Sequence, residues 1–263
     1  MGVAASAFQT TTNKDVVMGW DITYHPIAED DVRSLYFAGI EDPLFYKTLL
    51  QRFGVDAFYA EQLRLRFDEA RKIDDGVSFA RGHAYYVAII SGFLRPHHYI
   101  RGGGFSFLLK DALMASYAGD WKSLVPERLQ HLHFDNHLTQ NYCGGVYLPH
   151  QSLKRLRSDY HSDARVRAQM DDVFSHGRLH IFWQALDAAI SAGLGLIEAS
   201  EVVEPSPFNL NESRSLSNLF NCHPDGALLY AQAAAQQLGQ ALHENQDSLP
   251  VRRSGTISRL FRK

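Results

Sequence analysis

Four side chains of the segment HLHFDNH, His131, His133, Asp135 and His137, form the densest group of potential metal ligands in the chain. Imidazole and carboxylate both suit zinc or iron. Their spacing, however, fits no single element: a His-x-His pair needs a strand and a His-x-x-x-His pair needs a helix. A polar, histidine-rich loop is the better reading, and no metal site is assigned. His176 and His180 are four apart, but Gly177, Arg178 and Leu179 between them supply no glutamate, so the general base of an HExxH metalloprotease is missing. The segment RPHHYIRGGG offers different chemistry. His97, His98, Arg101 and Gly103 could hold an anion through imidazolium, guanidinium and free backbone amides. The run lacks the lysine ending of a P-loop and the spacing of a dinucleotide fingerprint, and its glycines would equally let backbone pack beneath a neighbour.

Glu198, Glu201 and Glu204 form an acidic series, and paired carboxylates can act as general acid and base in a glycosidase. On one extended strand Glu198 and Glu204 share a face while Glu201 points the other way. Solvation, or contact with a basic partner, is therefore their expected role. No GxSxG nucleophile elbow occurs, and neither Cys143 nor Cys222 has a local catalytic signature. With no catalytic constellation, the chain is expected not to be an enzyme and to need no cofactor.

The elements that must position these residues follow from periodicity and punctuation. Met18 to His25 alternates like a strand, and Pro26 with Glu29, Asp30 and Asp31 starts a helix. Asp42 and Pro43 read as N-cap and first helical residue of a segment closed by Gly54. Val55 to Arg71 is a charged amphipathic helix, whereas Ala84 to Leu94 is apolar nearly all round, the pattern of a helix buried in the middle of a fold. Asp163 to Phe174 and Arg178 to Ala192 form a helical pair separated by Gly177, and a helix ends near Gly193. An extended run from Leu196 to Val203 follows, broken by Pro205 and Pro207. The closing helix, Asp225 to Glu244, repeats Leu228, Ala231, Ala235, Leu238 and Leu242 as an inward stripe. The expected architecture is one mainly helical α+β domain with a few short strands over residues 18–244. A flexible segment, 1–17, and a flexible basic tail, 245–263, flank it.

The chain has 263 residues, 45% of them hydrophobic and 21% charged, enough to bury a sizeable core without staples. Two distant cysteines argue against disulfide frameworks and for a reducing compartment. No apolar run is long enough for a signal or membrane segment, so a cytoplasmic location is expected. The opening MGVAAS fits a myristoylation pattern that small residues match easily by chance. Net charge is −3, but Arg252, Arg253, Arg259, Arg262 and Lys263 sit in a tail without acids. The preceding body thus sets 21 cationic residues against all 29 acids, a balance of −8. Such a body repels nucleic-acid phosphates and steers a basic partner toward it.

The stretches GLGLIEASEVVEP and SLSNLFNCHPDGALLY, with MGWDITYHPI, FLRPHHYIRGGGFSFLL and NYCGGVYLPH, resemble a bacterial family of immunity proteins, over about residues 18–244. Some members of that family protect against GHH-type nuclease effectors delivered by type VI secretion. The resemblance implies a protein that binds a cognate toxin and stops its DNA cleavage, with neither direct nucleic-acid nor membrane contact. Tyr24, Trp121 and Tyr147 are candidate contact residues if exposed, together with Glu198, Glu201 and Glu204. The alternatives are a metal-dependent hydrolase using histidines near His97 or His131, and an anionic small-molecule sensor built on RPHHYIRGGG.

Overall fold

In the computed structural model, which describes residues 20–247, a five-stranded mixed sheet runs through the molecule. Its strands are β1 (Asp21–Ile27), β2 (His97–Arg101), β3 (Gly144–Leu148), β4 (Gly195–Ser200) and β7 (Cys222–His223), and they lie in the order β3-β4-β1-β2-β7. All neighbours are antiparallel except β2 and β7, and a separate two-stranded ribbon joins β5 (Val203–Glu204) to β6 (Arg214–Ser215). Helices predominate and the described residues form one α+β domain. The 1–17 segment, the myristoylation pattern and the cationic residues of the tail lie outside the described residues.

Because successive side chains alternate across a strand, β1, β3 and β4 each feed two cores. Ile22, Tyr24, Leu196, Val146 and Leu148 enter one, and Ile27, Ile197, Ala199 and Tyr147 the other. The second core is closed by four helical segments. The helical stretch α1 spans 29–41, with a π-helical middle at Val32–Phe37. It is followed by α2 (Phe45–Phe53), α3 (Ala57–Ala70) and α4 (Tyr85–Leu94). As its all-round apolar sequence predicts, α4 is buried on nearly every face. The first core is closed by α5 (His150–Ser162), α6 (Ala164–Val173) and α7 (Arg178–Ser191). Asp163 caps α6 by accepting from the Arg165 amide, and Gly177 turns the chain into α7 at φ 83°, where a β-carbon is disfavoured.

Several boundaries differ from the sequence reading for local reasons. Pro26 lies inside β1, beyond the last pair with β2, Tyr24 opposite His98. Asp42 accepts from the Leu44 amide at 2.8 Å, which makes a turn, so α2 starts at Phe45. The extended run from Leu196 stops at Ser200 because Glu201 adopts a left-handed φ of 58°. The closing helix, α8 (Pro224–Asp247), is longer than expected, and its stripe is not inward: Leu228, Leu238 and Leu242 are exposed.

Candidate functional site

The sheet draws the expected anion pocket shut. On β2, His97 and His98 are buried, and their rings stack on other imidazoles, His97 on His25 with centroids 4.6 Å apart and His98 on His223 at 5.0 Å. Burial lowers the affinity of these rings for protons, to pKa values of about 3 for His97 and about 4 for His98. The expected imidazolium charge is therefore absent at neutral pH. Arg101 is committed to Asp21 at 2.6 Å and lies over the Tyr230 ring at 4.6 Å. Gly103 is buried, and a β-carbon there would stand 3.2 Å from Arg178, Phe174 and the Val173 carbonyl. The glycine run serves close packing, and His97, His98, Arg101 and Gly103 form no anion site.

The acidic series is also dispersed. Glu198 pairs directly across the sheet with Tyr24, deep in the first core. Its carboxylate accepts from the Tyr24 hydroxyl at 2.8 Å, the Phe105 amide at 2.5 Å and the Ser106 amide at 3.2 Å. Burial raises the carboxyl pKa while these donors oppose the rise. Its work is to satisfy the first amides of the short helical turn Phe105–Leu108. Glu201 is buried beside Asp21, and burial first, then the Asp21 charge, pushes its pKa up to about 7. Only Glu204 is partly open, accepting from the Tyr142 hydroxyl at 3.3 Å. Glu198 and Glu204 cannot share one strand face, because the backbone turns at Glu201 between them. Glu198 and Glu201 are thus corrected from contact residues to interior ones.

Burial likewise removes all three expected aromatic contacts. Tyr24 packs edge-on to Phe182 at 5.2 Å, Trp121 packs on Tyr147 at 5.6 Å, and none of the three reaches the surface. Trp121 instead secures the sheet, its indole N–H donating to the Gly145 carbonyl at 3.1 Å along the outer edge of β3. Among the histidine-rich loop residues, His131 approaches Asp75 at 3.8 Å, and His137 is hydrogen-bonded to the Ser106 carbonyl at 3.2 Å. Among the described residues no three His, Cys, Asp or Glu side chains converge as a metal site would require.

What the structure does present is an aromatic projection on hydrogen-bonded backbone that the sequence reading did not single out. Phe220 is 86% exposed and Phe58 is 70% exposed. Both touch the buried Tyr59, with ring centroids 6.0 and 5.1 Å from it. The backbone beneath Phe220 is pinned at four points. Ser217 donates to the Ile89 carbonyl at 2.7 Å, and the Asn218 side chain accepts from the Phe220 amide at 3.0 Å. Asn221 donates to the Gly92 and Phe93 carbonyls at 3.0 and 3.1 Å, satisfying the open C-terminal end of α4. Phe58 sits in the first turn of α3, where Asp56 accepts from its amide at 2.7 Å. One and two turns further along α3, exposed Glu61 and Leu65 continue the same face. The result is two outward phenyl rings on fixed backbone with Asp56 and Glu61 at the rim. The run SNLFN carried a usable signal: Asn on either side of an apolar pair marks a capped turn that displays it.

Comparison with family models, curated proteins and solved structures finds no match to the chain. The functional reading therefore rests on the chain's own chemistry. Among the described residues no helix is long and apolar enough to cross a membrane.

Proposed function

We propose that the protein is an immunity protein that binds and inactivates a cognate antibacterial nuclease toxin in the cytoplasm, using the Phe58–Phe220 face as its anchor. The observation that carries the reading is the exposed phenyl pair held on hydrogen-bonded backbone. A folded chain gains about 1.5–3 kcal/mol by burying such a ring, so keeping two of them outward on hydrogen-bonded backbone favours a partner surface that covers them. Aromatic anchors ringed by polar residues are the usual anatomy of a specific interface. Asp56 at the rim, and the −8 balance of residues before the tail, suit a basic partner, as a protein that cleaves a polyanion tends to be, whereas Glu61 is already paired with Arg64 at 2.6 Å. The sequence resemblance to nuclease-immunity proteins supports the choice of toxin class.

The test is coexpression with a GHH-type nuclease toxin from the same genome, followed by copurification and a DNA-cleavage assay on the purified pair. The reading requires a stoichiometric complex, loss of cleavage and rescue of growth. Purified toxin that still cuts DNA at full rate in a molar excess of this protein, with no complex on gel filtration, refutes it.

A further inference from the structure

The closing helix α8 is divided in its contacts. Its first turns are seated on the body: Gly226 lies against the Tyr99 carbonyl, Asp225 accepts from Gln184 at 2.9 Å, and Tyr230 lies under the Arg101 guanidinium at 4.6 Å. Further along, one face is left uncovered by the described residues. A β-carbon at Gly239 would meet no atom within 4 Å, and Leu228, Leu238 and Leu242 are 51%, 52% and 56% exposed.

These leucines, with Ala231 and Ala235 between them, recur at alternating spacings of three and four residues. That is the a and d seam of a helix pair. Leu228, Ala235 and Leu242 occupy one seam position, Ala231 and Leu238 the other. From Gly226 to His243 the helix has no Asp, Glu, Lys or Arg, in a chain that is 21% charged. The flanks of the seam are glutamine, alanine and glycine.

We infer that this face binds a second copy of the same chain as an antiparallel helix pair. Charge favours a copy of itself over a charged partner. The neutral helix offers an ionic partner nothing to recognise, yet two copies can meet along it without the like-charge repulsion that their acidic bodies would otherwise impose. Shape favours the antiparallel arrangement. In such a pair the two seam positions face each other, and the register that sets Ala235 against Leu238 of the second copy also sets Ala231 against Leu242. Large side chains then fill the gaps left by small ones in every one of these layers, and the two-fold symmetry closes the assembly. A parallel pair would instead stack alanine on alanine in two successive layers and leave them underfilled. A contact made chiefly by four helical turns lies at the small end of stable interfaces, so the dimer is expected to dissociate in the micromolar range.

Sedimentation velocity on the full chain, from about 1 to about 200 μM, brackets that range. The expected result is a monomer that converts to dimer with concentration, and a Leu238→Glu/Leu242→Glu double variant that stays monomeric with an unchanged circular dichroism spectrum. Both side chains are exposed, so the variant removes the seam without touching either core. Wild type that remains monomeric throughout, as it would if its own tail covered the face, overturns the inference. A dimer that survives the double substitution does so too. Orientation is read by mildly oxidising a mixture of Ala235→Cys copies and Leu238→Cys copies in a Cys222→Ser background. The mixed disulfide predominates in the antiparallel register; predominance of like-with-like disulfides overturns that register.

Discussion

Gly226 lies against the carbonyl oxygen of Tyr99 so closely that α8 and β2 leave no room for a methyl group between them. The contact is backbone on backbone, and neither side can rotate away as a side chain could. Gly226→Ala is expected to push the helix off the strand and to lower stability by about 3 kcal/mol or more, the upper range for overpacking against a rigid neighbour. Thermal unfolding measures it. An Ala variant that melts with wild type would mean that α8 is not seated there.

The pair formed by Tyr24 and Glu198 makes a second expectation. Glu198→Ala leaves the Phe105 and Ser106 amides and the Tyr24 hydroxyl facing an apolar hole, at a cost of about 2–4 kcal/mol for buried donors deprived of their acceptor. Glu198→Gln keeps one acceptor oxygen and should lose clearly less. Urea denaturation of the two variants checks the order, and equal losses would show that volume, not hydrogen bonding, decides.

Stability should fall on acidification, with a sign set by the buried histidines. Burial holds His97 at about 3, His98 at about 4 and His25 well below its ordinary value. Unfolded, each ring returns to about 6.5. The unfolded chain therefore binds more protons between those limits, so stability is complete above about pH 6.5 and is lost as pH falls through the folded values. Glu201 runs the other way: raised to about 7, it contributes stability at low pH that is lost as pH rises from the ordinary carboxyl range through 7. His97→Gln should flatten the acid limb of a plot of unfolding midpoint against pH, and an unchanged slope would remove His97 from the account.

Phe58→Ala and Phe220→Ala should separate binding from folding. Both rings are mostly in solvent, so each change should alter stability by no more than about 0.5 kcal/mol. Each should weaken the toxin complex by roughly tenfold or more, as anchor residues do. Calorimetric titration against the toxin supplies the second number. An undiminished affinity in the double variant would place the interface elsewhere.

The helical frame was legible because its signals are local. The apolar run of α4 declares burial on all sides, Asp163 declares a cap, and Gly177 a break. The strands at β1 and β4 were also visible, although their ends depended on Pro26 and on the left-handed Glu201, which neighbouring strands and the following turn decide. The candidate site was far less legible. Glu198 looks like a surface acid until β1 brings Tyr24 opposite it and the turn after Gly104 supplies two amides. Phe220 looks like a core residue until Asn221 is seen tied to the end of α4 and Asn218 to the Phe220 amide. Helical periodicity picks out the stripe on α8 and predicts that it faces inward; its leucines are exposed instead, because periodicity names no partner and the described body supplies none. Such choices depend on contacts between residues distant in sequence.

The two rims of the sheet are shut by different means. Beyond β3, the Gly119 amide donates to the Tyr147 carbonyl at 2.7 Å and the Trp121 indole to Gly145, so that rim is closed by the chain's own turns. Beyond β2 only two residues of β7 continue the ladder, at His97 and His98, and the rest is shielded by the seated end of α8. An uncovered strand rim is a template for aggregation. The helix that closes the chain is consequently also its guard against fibrous self-assembly: once α8 lifts, the outward backbone groups of Tyr99 and Arg101, on the side of β2 away from β1, are free to recruit a foreign strand, and among the described residues the only α8 side chain withdrawn from a core is the half-buried Leu229.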